Sequence, residues 1–66
     1  MKFTLTLQLG NDAMNTALDV AEALRKAAHQ LNTELGPTEI TDVQDGFGHV
    51  IMDLNGNKVG SWQFDE

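Results

Sequence analysis

Apolar and polar side chains alternate strictly over residues 2–9, with the apolar positions at Phe3, Leu5, Leu7 and Leu9. A period of two places the apolar side chains on one face of a strand and the polar ones on the other. The pattern therefore predicts a first strand with one face toward the core. Since a signal peptide has a continuous apolar run, this segment is not interpreted as a targeting sequence.

Thr16 and Asp19 have the spacing of a capping box. In this motif the threonine hydroxyl accepts a hydrogen bond from a free amide of the first helical turn. The spacing predicts a helix that begins near residue 16, or one turn earlier if Asn11 or Asp12 supplies the cap.

Gly36 and Pro37 predict the end of this helix, because glycine favours the left-handed conformation after a last turn and proline cannot continue a helix. Apolar residues recur at spacings of three and four before the stop, which indicates one apolar stripe facing a sheet. The stripe comprises Ala17, Val20, Ala21, Leu24, Ala27, Ala28, Leu31 and Leu35. The predicted polar face comprises Glu22, Arg25, Lys26, His29 and Gln30.

The segment after the proline is rich in strand signals. Apolar residues and turn residues predict strands at 39–44, 49–54 and 58–64. Asp53 and Gly56 fit the first and last positions of a type I turn whose glycine is left-handed, the usual three-residue hairpin loop. The predicted fold class is α+β, with the order β-α-β-β-β in one domain over residues 1–66.

The expected hairpin register places apolar side chains on both faces of its two strands. One set comprises Val50, Met52, Trp62 and Phe64, and the other comprises Ile51 and Val59. A bulge at Gly60 is an alternative that would turn Val59 toward Trp62. Because one helix covers one face, the pattern predicts an exposed patch with Ile51, Val59 and Trp62 as candidate contacts for a partner protein. Equally, the chain ends and the loop at 45–49 could cover this surface.

Composition narrows the functional classes. The chain has 66 residues, no cysteine, and ten acidic against four basic side chains, for a formal net charge of −6. This charge repels phosphate backbones and anionic lipids, so we expect neither direct nucleic-acid binding nor membrane binding. Because the sequence shows no targeting segment and no run of about 20 apolar residues, we expect a cytoplasmic location. A chain this short has a thin core without disulfides, and a second subunit is one remaining source of stability. A structural homodimer is therefore one hypothesis.

Catalytic, cofactor and metal chemistry find little support. Ser61 is the sole serine and lies in a predicted strand, and His29 and His49 are expected to be solvated. Asp53-x-Asn55-x-Asn57 begins like a calcium loop but lacks the glycine and the glutamate that such a loop requires. Gly46-x-Gly48 has no following helix to hold a phosphate. We therefore expect no enzyme, no cofactor and no metal site.

The acidic residues Glu39, Asp42 and Asp45, with Asp65 and Glu66 at the tail, would form an acidic surface if the sheet aligned them, and Asp53 is a further candidate contact. Such a row imitates part of a phosphate backbone. A further hypothesis is therefore an acidic decoy, of the anti-defence or anti-CRISPR type, that occupies the nucleic-acid-binding surface of another protein. The ordinary alternative is a solvated face that maintains solubility.

Several segments resemble, in order and spacing, short uncharacterised proteins carried by actinobacterial phages and their hosts. They are Phe3-Thr4-Leu5, residues 10–14, residues 16–21, Leu24-Arg25 and the hairpin at 51–62, with its pattern D-x-N-G-N-x-V-G-x-W. The resemblance covers most of the chain and implies a phage or mobile-element accessory gene. It brings no activity and no site residues. With it, the leading hypothesis is an interaction module or inhibitor that binds a host protein stoichiometrically.

Overall fold

The computed structural model describes residues 1–10 and 14–66. Within them the chain forms β1 (Lys2–Leu7), α1 (Ala17–Glu34), a 3₁₀ turn (Ile40–Asp42), β2 (Gly48–Met52) and β3 (Lys58–Asp65). One helix packs with an antiparallel sheet, which confirms the α+β class. The alternative helix start at Asn11 or Asp12 lies outside the described residues.

The three strands that the structure describes form one antiparallel sheet in the order β1-β3-β2. β1 pairs with β3 from Lys2↔Asp65 to Leu7↔Gly60. β2 pairs with the other side of β3 through the hairpin. The last strand is therefore central, with β1 on one side of it and β2 on the other.

The prediction of a strand at 39–44 is wrong. The amide of Asp42 donates to the Glu39 carbonyl at 2.9 Å, and the amide of Val43 donates to the Ile40 carbonyl at 3.1 Å. These bonds close a 3₁₀ turn that buries Val43 and leaves Ile40 exposed. The spacing of three between the two apolar residues belongs to this turn.

The predicted capping box is confirmed. The Thr16 hydroxyl accepts from the Asp19 amide at 3.2 Å, and the Asp19 carboxylate accepts from the Thr16 amide at 3.0 Å. The helix ends at the predicted stop, where Gly36 has a φ of 48°. Its amide donates to the Leu31 carbonyl at 3.0 Å, which satisfies one of the last free carbonyls.

The predicted apolar stripe of α1 is rotated relative to the face that packs. Ala23, outside the predicted stripe, and Ala27 are the buried residues of the helix. Leu24, at the centre of the stripe, is 48% exposed, and Ala17 and Ala28 are also exposed. The stripe is thus only partly the packed face.

The rotation follows from contacts between α1 and the edge strand β2. Lys26 Nζ donates to the Met52 carbonyl at 2.6 Å, and Gln30 Nε2 donates to the Val50 carbonyl at 3.0 Å. Both helical residues belong to the predicted polar face, which was expected to point away from the sheet. They satisfy backbone acceptors of β2 instead, and the small side chains beside them allow the helix to approach.

A bulge in β3 reverses the predicted faces of the hairpin. Ile51 pairs with Gly60 and Met52 pairs with Lys58, so Val59 is an extra residue. A one-residue bulge shifts the pairing register by one. Beyond it, every side chain of the partner strand therefore lies on the face opposite to the one expected without the bulge. The alternative of a bulge that turns Val59 toward the face of Trp62 is therefore confirmed, but the extra residue is Val59 and not Gly60. The same bulge also turns β2 over.

The expectation that Ile51, Val59 and Trp62 lie on an exposed face is wrong. They are 0%, 4% and 1% exposed, respectively, and form the centre of the core. The side chains left outside are Val50 and Met52, because the bulge places them opposite this core.

Gly60 is required at the bulge by the close approach of β1. A Cβ on this residue would lie 2.2 Å from the Thr6 carbonyl oxygen. No side chain fits in that space, so glycine permits the bulge and the pairing with β1 at the same position.

Aromatic rings surround Trp62. Its ring centroid lies 5.5–6.1 Å from those of Phe3, Phe47, His49 and Phe64. The Gly46 amide donates to the Phe64 carbonyl at 2.7 Å, and the Phe64 amide donates to the Phe47 carbonyl at 2.8 Å. The loop before β2 thus covers part of the core, as the alternative to an exposed patch proposed.

Candidate functional site

A groove of about 370 Å³ separates the first half of α1 from the β2–β3 hairpin. Its floor is apolar and consists of the buried residues Met14, Ala23, Ile51 and Val59. We call this feature the hairpin groove. Its volume lies near the lower end of the range typical of ligand pockets, about 300–1,000 Å³.

The rim of the hairpin groove has two sides. The helix contributes Asp19, Glu22 and Lys26. The hairpin contributes Met52, Asp53, Leu54 and Asn55. An apolar floor is thus bordered by charged side chains on the helix and by polar and apolar ones on the hairpin.

Leu54 is 97% exposed, the most exposed large apolar side chain in the described part of the chain. It lies at the tip of the hairpin, at the mouth of the groove, and Met52 beside it is also exposed. An isolated exposed leucine needs no explanation, but these two adjoin a buried apolar floor.

The turn that carries Leu54 has the predicted three-residue form. The Gly56 amide donates to the Asp53 carbonyl at 3.1 Å, and Gly56 has a φ of 83°. The Asp53 carboxylate accepts from the amides of Asn55 and Asn57, at 2.9 and 2.8 Å. These bonds fix the turn without any contribution from the Leu54 side chain.

Backbone amides hold two rim carboxylates ionised. The amide of Asn57, with the amide of Asn55 and the charge of Lys26 acting in the same direction, lowers the pKa of Asp53 below its ordinary value. The amides of Asn15 and Thr16 lower the pKa of Asp19 in the same way. Both groups are negative at neutral pH, and their donors also fix their positions.

The remaining rim charges are less constrained. Glu22 accepts from Arg25 Nη1 at 2.9 Å, in an ion pair whose side chains are both mostly exposed. A pair of this kind contributes little to stability because water screens it. Lys26 is held against the Met52 carbonyl, so its ammonium group marks the border of the hairpin groove.

A second groove continues along the seam between α1 and β2. It is lined by Glu22, Arg25, Lys26, His29, Gln30 and Met52. Glu22, Lys26 and Met52 line both grooves. The seam therefore changes from an acidic rim at the hairpin to a more basic one toward the middle of the helix.

The structure brings two of the predicted contact residues to this site, but as its floor. Ile51 and Val59 line the hairpin groove from below, and Trp62 lies in the core beyond it. Sequence reasoning missed Met52 and Leu54 as surface residues. Leu54 had a local signal, since a leucine inside a turn defined by aspartate and glycine has no structural role there.

Two acidic residues of the decoy hypothesis, Asp45 and Asp53, lie near opposite ends of β3. Asp45 accepts from the Glu66 amide at 3.1 Å and so lies near the end of β3, whereas Asp53 lies before its start. An eight-residue strand separates them, about 26 Å at 3.3 Å per residue. Glu39 and Asp42 lie at the 3₁₀ turn.

The groups considered for catalysis are separated by the sheet. Ser61 pairs with Thr6 and Val50, whereas His49 pairs with Trp62, so the serine and the histidine side chains lie on opposite faces. Within residues 1–10 and 14–66, no group of three or more histidine, aspartate or glutamate side chains could hold a metal ion. In the same part of the chain, no helix is both long enough and apolar enough to cross a lipid bilayer.

No protein-family model matches the chain, and no curated protein or solved structure matches it significantly.

Proposed function

We propose that the chain is a protein-interaction module that binds one partner protein stoichiometrically, with the hairpin groove as its contact surface. The observation that carries the proposal is the exposure of Leu54 at the mouth of a groove whose floor is apolar. Apolar patches rimmed by polar groups are typical of surfaces that contact other proteins. The proposal replaces Ile51, Val59 and Trp62 with Met52 and Leu54 as the contact residues.

The biological setting comes from the resemblance to proteins of actinobacterial phages and their hosts. It supports a phage or mobile-element accessory protein, or an inhibitor, that acts on a host protein in the cytoplasm. The acidic-decoy alternative has less support, because Asp45 and Asp53 lie near opposite ends of β3. A homodimer built through the same groove is an outcome that the experiment below distinguishes.

The test is site-specific photocrosslinking in an extract of an actinobacterial host. A benzophenone amino acid replaces Leu54 in one variant and Ile40 in the other. Ile40 is a matched control because it is exposed and does not line the groove. We expect one discrete adduct from position 54, absent from position 40, with the mass of the chain plus one partner.

Competition decides whether the adduct reports the groove. Excess unlabelled native chain should suppress the adduct, and excess unlabelled Leu54→Asp chain should not, because a buried unpaired carboxylate disfavours the complex. Equal adducts from both positions, or equal competition by both chains, would contradict the proposal. An adduct of twice the chain mass would assign the groove to self-association.

A further inference from the structure

We infer that the hairpin groove takes a short segment of its partner in which one apolar side chain lies between lysine or arginine residues. This inference rests on the proposed function and adds the chemistry of the partner.

The floor of the hairpin groove is apolar and therefore favours an apolar side chain on the partner. Ala23, Ile51 and Val59 are buried and offer no hydrogen-bonding side chain to a ligand. A polar group that enters such a floor loses its water without a new hydrogen bond, at a cost of about 1–3 kcal/mol. An apolar side chain gains from the same burial, and Met52 and Leu54 extend its contact surface at the rim.

The rim of the hairpin groove carries a negative excess and therefore favours lysine or arginine residues on both sides of that apolar side chain. Asp19 and Glu22 on the helix and Asp53 on the hairpin supply three negative charges, against the positive charge of Lys26 and that of Arg25, which pairs with Glu22 from outside the groove. The carboxylates lie on both sides of the groove, so they meet residues before and after an inserted side chain. The charge of the whole chain, −6, attracts the same class of segment from a distance.

The helix N-terminus does not reverse this preference. Its aligned dipoles correspond to roughly +0.5 of a charge, which is smaller than the negative excess of the rim. The Asp19 amide donates to Thr16, and the Asp19 carboxylate accepts from the amides of Asn15 and Thr16, so this end of the helix already contains its own anion. An added anion would meet the Asp19 carboxylate first.

The rim is also prepared for cations before binding. Asp19 and Asp53 are each held by two backbone amides, at 2.8–3.0 Å. A carboxylate that is fixed in advance loses little conformational entropy when a cation arrives. Glu22 is the adjustable member, because its partner Arg25 is exposed and readily exchanged for another cation.

The test uses three synthetic nine-residue peptides and the ¹⁵N-labelled full chain. The first peptide has a central leucine between lysines, the second has glutamates in place of the lysines, and the third has serine in place of the leucine. We expect saturable shifts of the amides of Ala23, Ile51 and Asp53 with the first peptide. The other two should bind at least about tenfold more weakly, and added salt should weaken the first.

Charge reversal on the rim gives the matched variants. Glu22→Lys should weaken the lysine–leucine peptide about three- to fivefold, as expected for one exposed charge pair. Glu39→Lys makes the same charge change away from the groove and should have less effect. Unchanged amide spectra outside the substituted turn would show that both variants are folded.

The inference is overturned if the glutamate peptide binds as well as the lysine peptide, or if the shifts map to residues outside the groove. The proposed function is tested by a different result, the crosslinking at position 54. If crosslinking at Leu54 yields a partner while the lysine–leucine peptide does not bind, the partner chemistry is wrong and the interaction module stands. If position 54 yields no specific adduct, the proposed function itself is wrong.

Discussion

Trp62 donates a hydrogen bond of 2.7 Å from its indole Nε1 to the side-chain oxygen of Gln30. The amide nitrogen of the same glutamine donates to the Val50 carbonyl at 3.0 Å. One helical side chain therefore joins the central strand and the edge strand. It also satisfies the single polar atom of the largest side chain in the core.

Replacing Gln30 with leucine should lower the free energy of unfolding by about 1–3 kcal/mol, because the buried indole N–H loses its acceptor. Urea unfolding followed by the fluorescence of the sole tryptophan measures the change. Gln63→Leu is the control, since Gln63 is exposed and bonds only to Asp65 in the side-chain contacts that the structure describes. Equal effects of the two substitutions would contradict the role assigned to Gln30.

Gly60→Ala should destabilise the fold by about 1–3 kcal/mol or more, because the added Cβ meets the Thr6 carbonyl and separates β1 from β3. Hydrogen exchange of the β1 amides is the measurement. Their protection should fall more than that of the α1 amides. Ser61→Ala, at the next position, should leave both nearly unchanged, and the same pattern from both variants would argue against a close approach at Gly60.

Two neighbouring alanines test the rotation of α1. Ala27→Leu should cost about 1–3 kcal/mol because it overfills a packed position. Ala28→Leu should change the free energy of unfolding by less than about 0.5 kcal/mol, since this residue is exposed. Chemical unfolding measures the free energy of unfolding of the two variants, which carry the same substitution at neighbouring positions. A larger loss of stability from Ala28→Leu than from Ala27→Leu would instead support the packed face predicted from periodicity.

The hairpin turn should make stability depend on acid. The folded pKa of Asp53 is lowered, so its contribution is complete above the unfolded pKa of about 3.9 and disappears as the pH falls through the folded pKa. Asp53→Asn should therefore flatten the decline of stability below about pH 4. Asn55→Ala keeps the carboxylate and its backbone donors, so it should keep the native slope in urea titrations between pH 2 and 6.

Features that depend on a few consecutive residues are predictable here. Thr16 and Asp19 complete a cap within four positions, and Asp53 and Gly56 complete a turn within four. Each motif satisfies its own backbone groups, so distant packing does not alter it. The α+β class follows because the cap separates a segment with the period of a strand from one with the period of a helix, and the turn separates two strand segments.

The faces of the hairpin are not predictable in this way. They depend on one extra residue, Val59, and that bulge depends on how closely Thr6 of a strand more than 50 positions earlier approaches Gly60. The bulge buries Ile51 and exposes Met52 beside Leu54. The candidate site is therefore a product of contacts between distant segments.

The contacts of Lys26 and Gln30 with β2 have a consequence for sheet growth. These two side chains occupy backbone acceptors on one edge of the sheet, where an added strand would otherwise bind. In the described part of the chain no strand pairs with the outer edge of β1, so we expect strand addition at β1 rather than at β2. Association between copies through their strand edges would end after two molecules, because each brings one open edge and one that its own helix has closed.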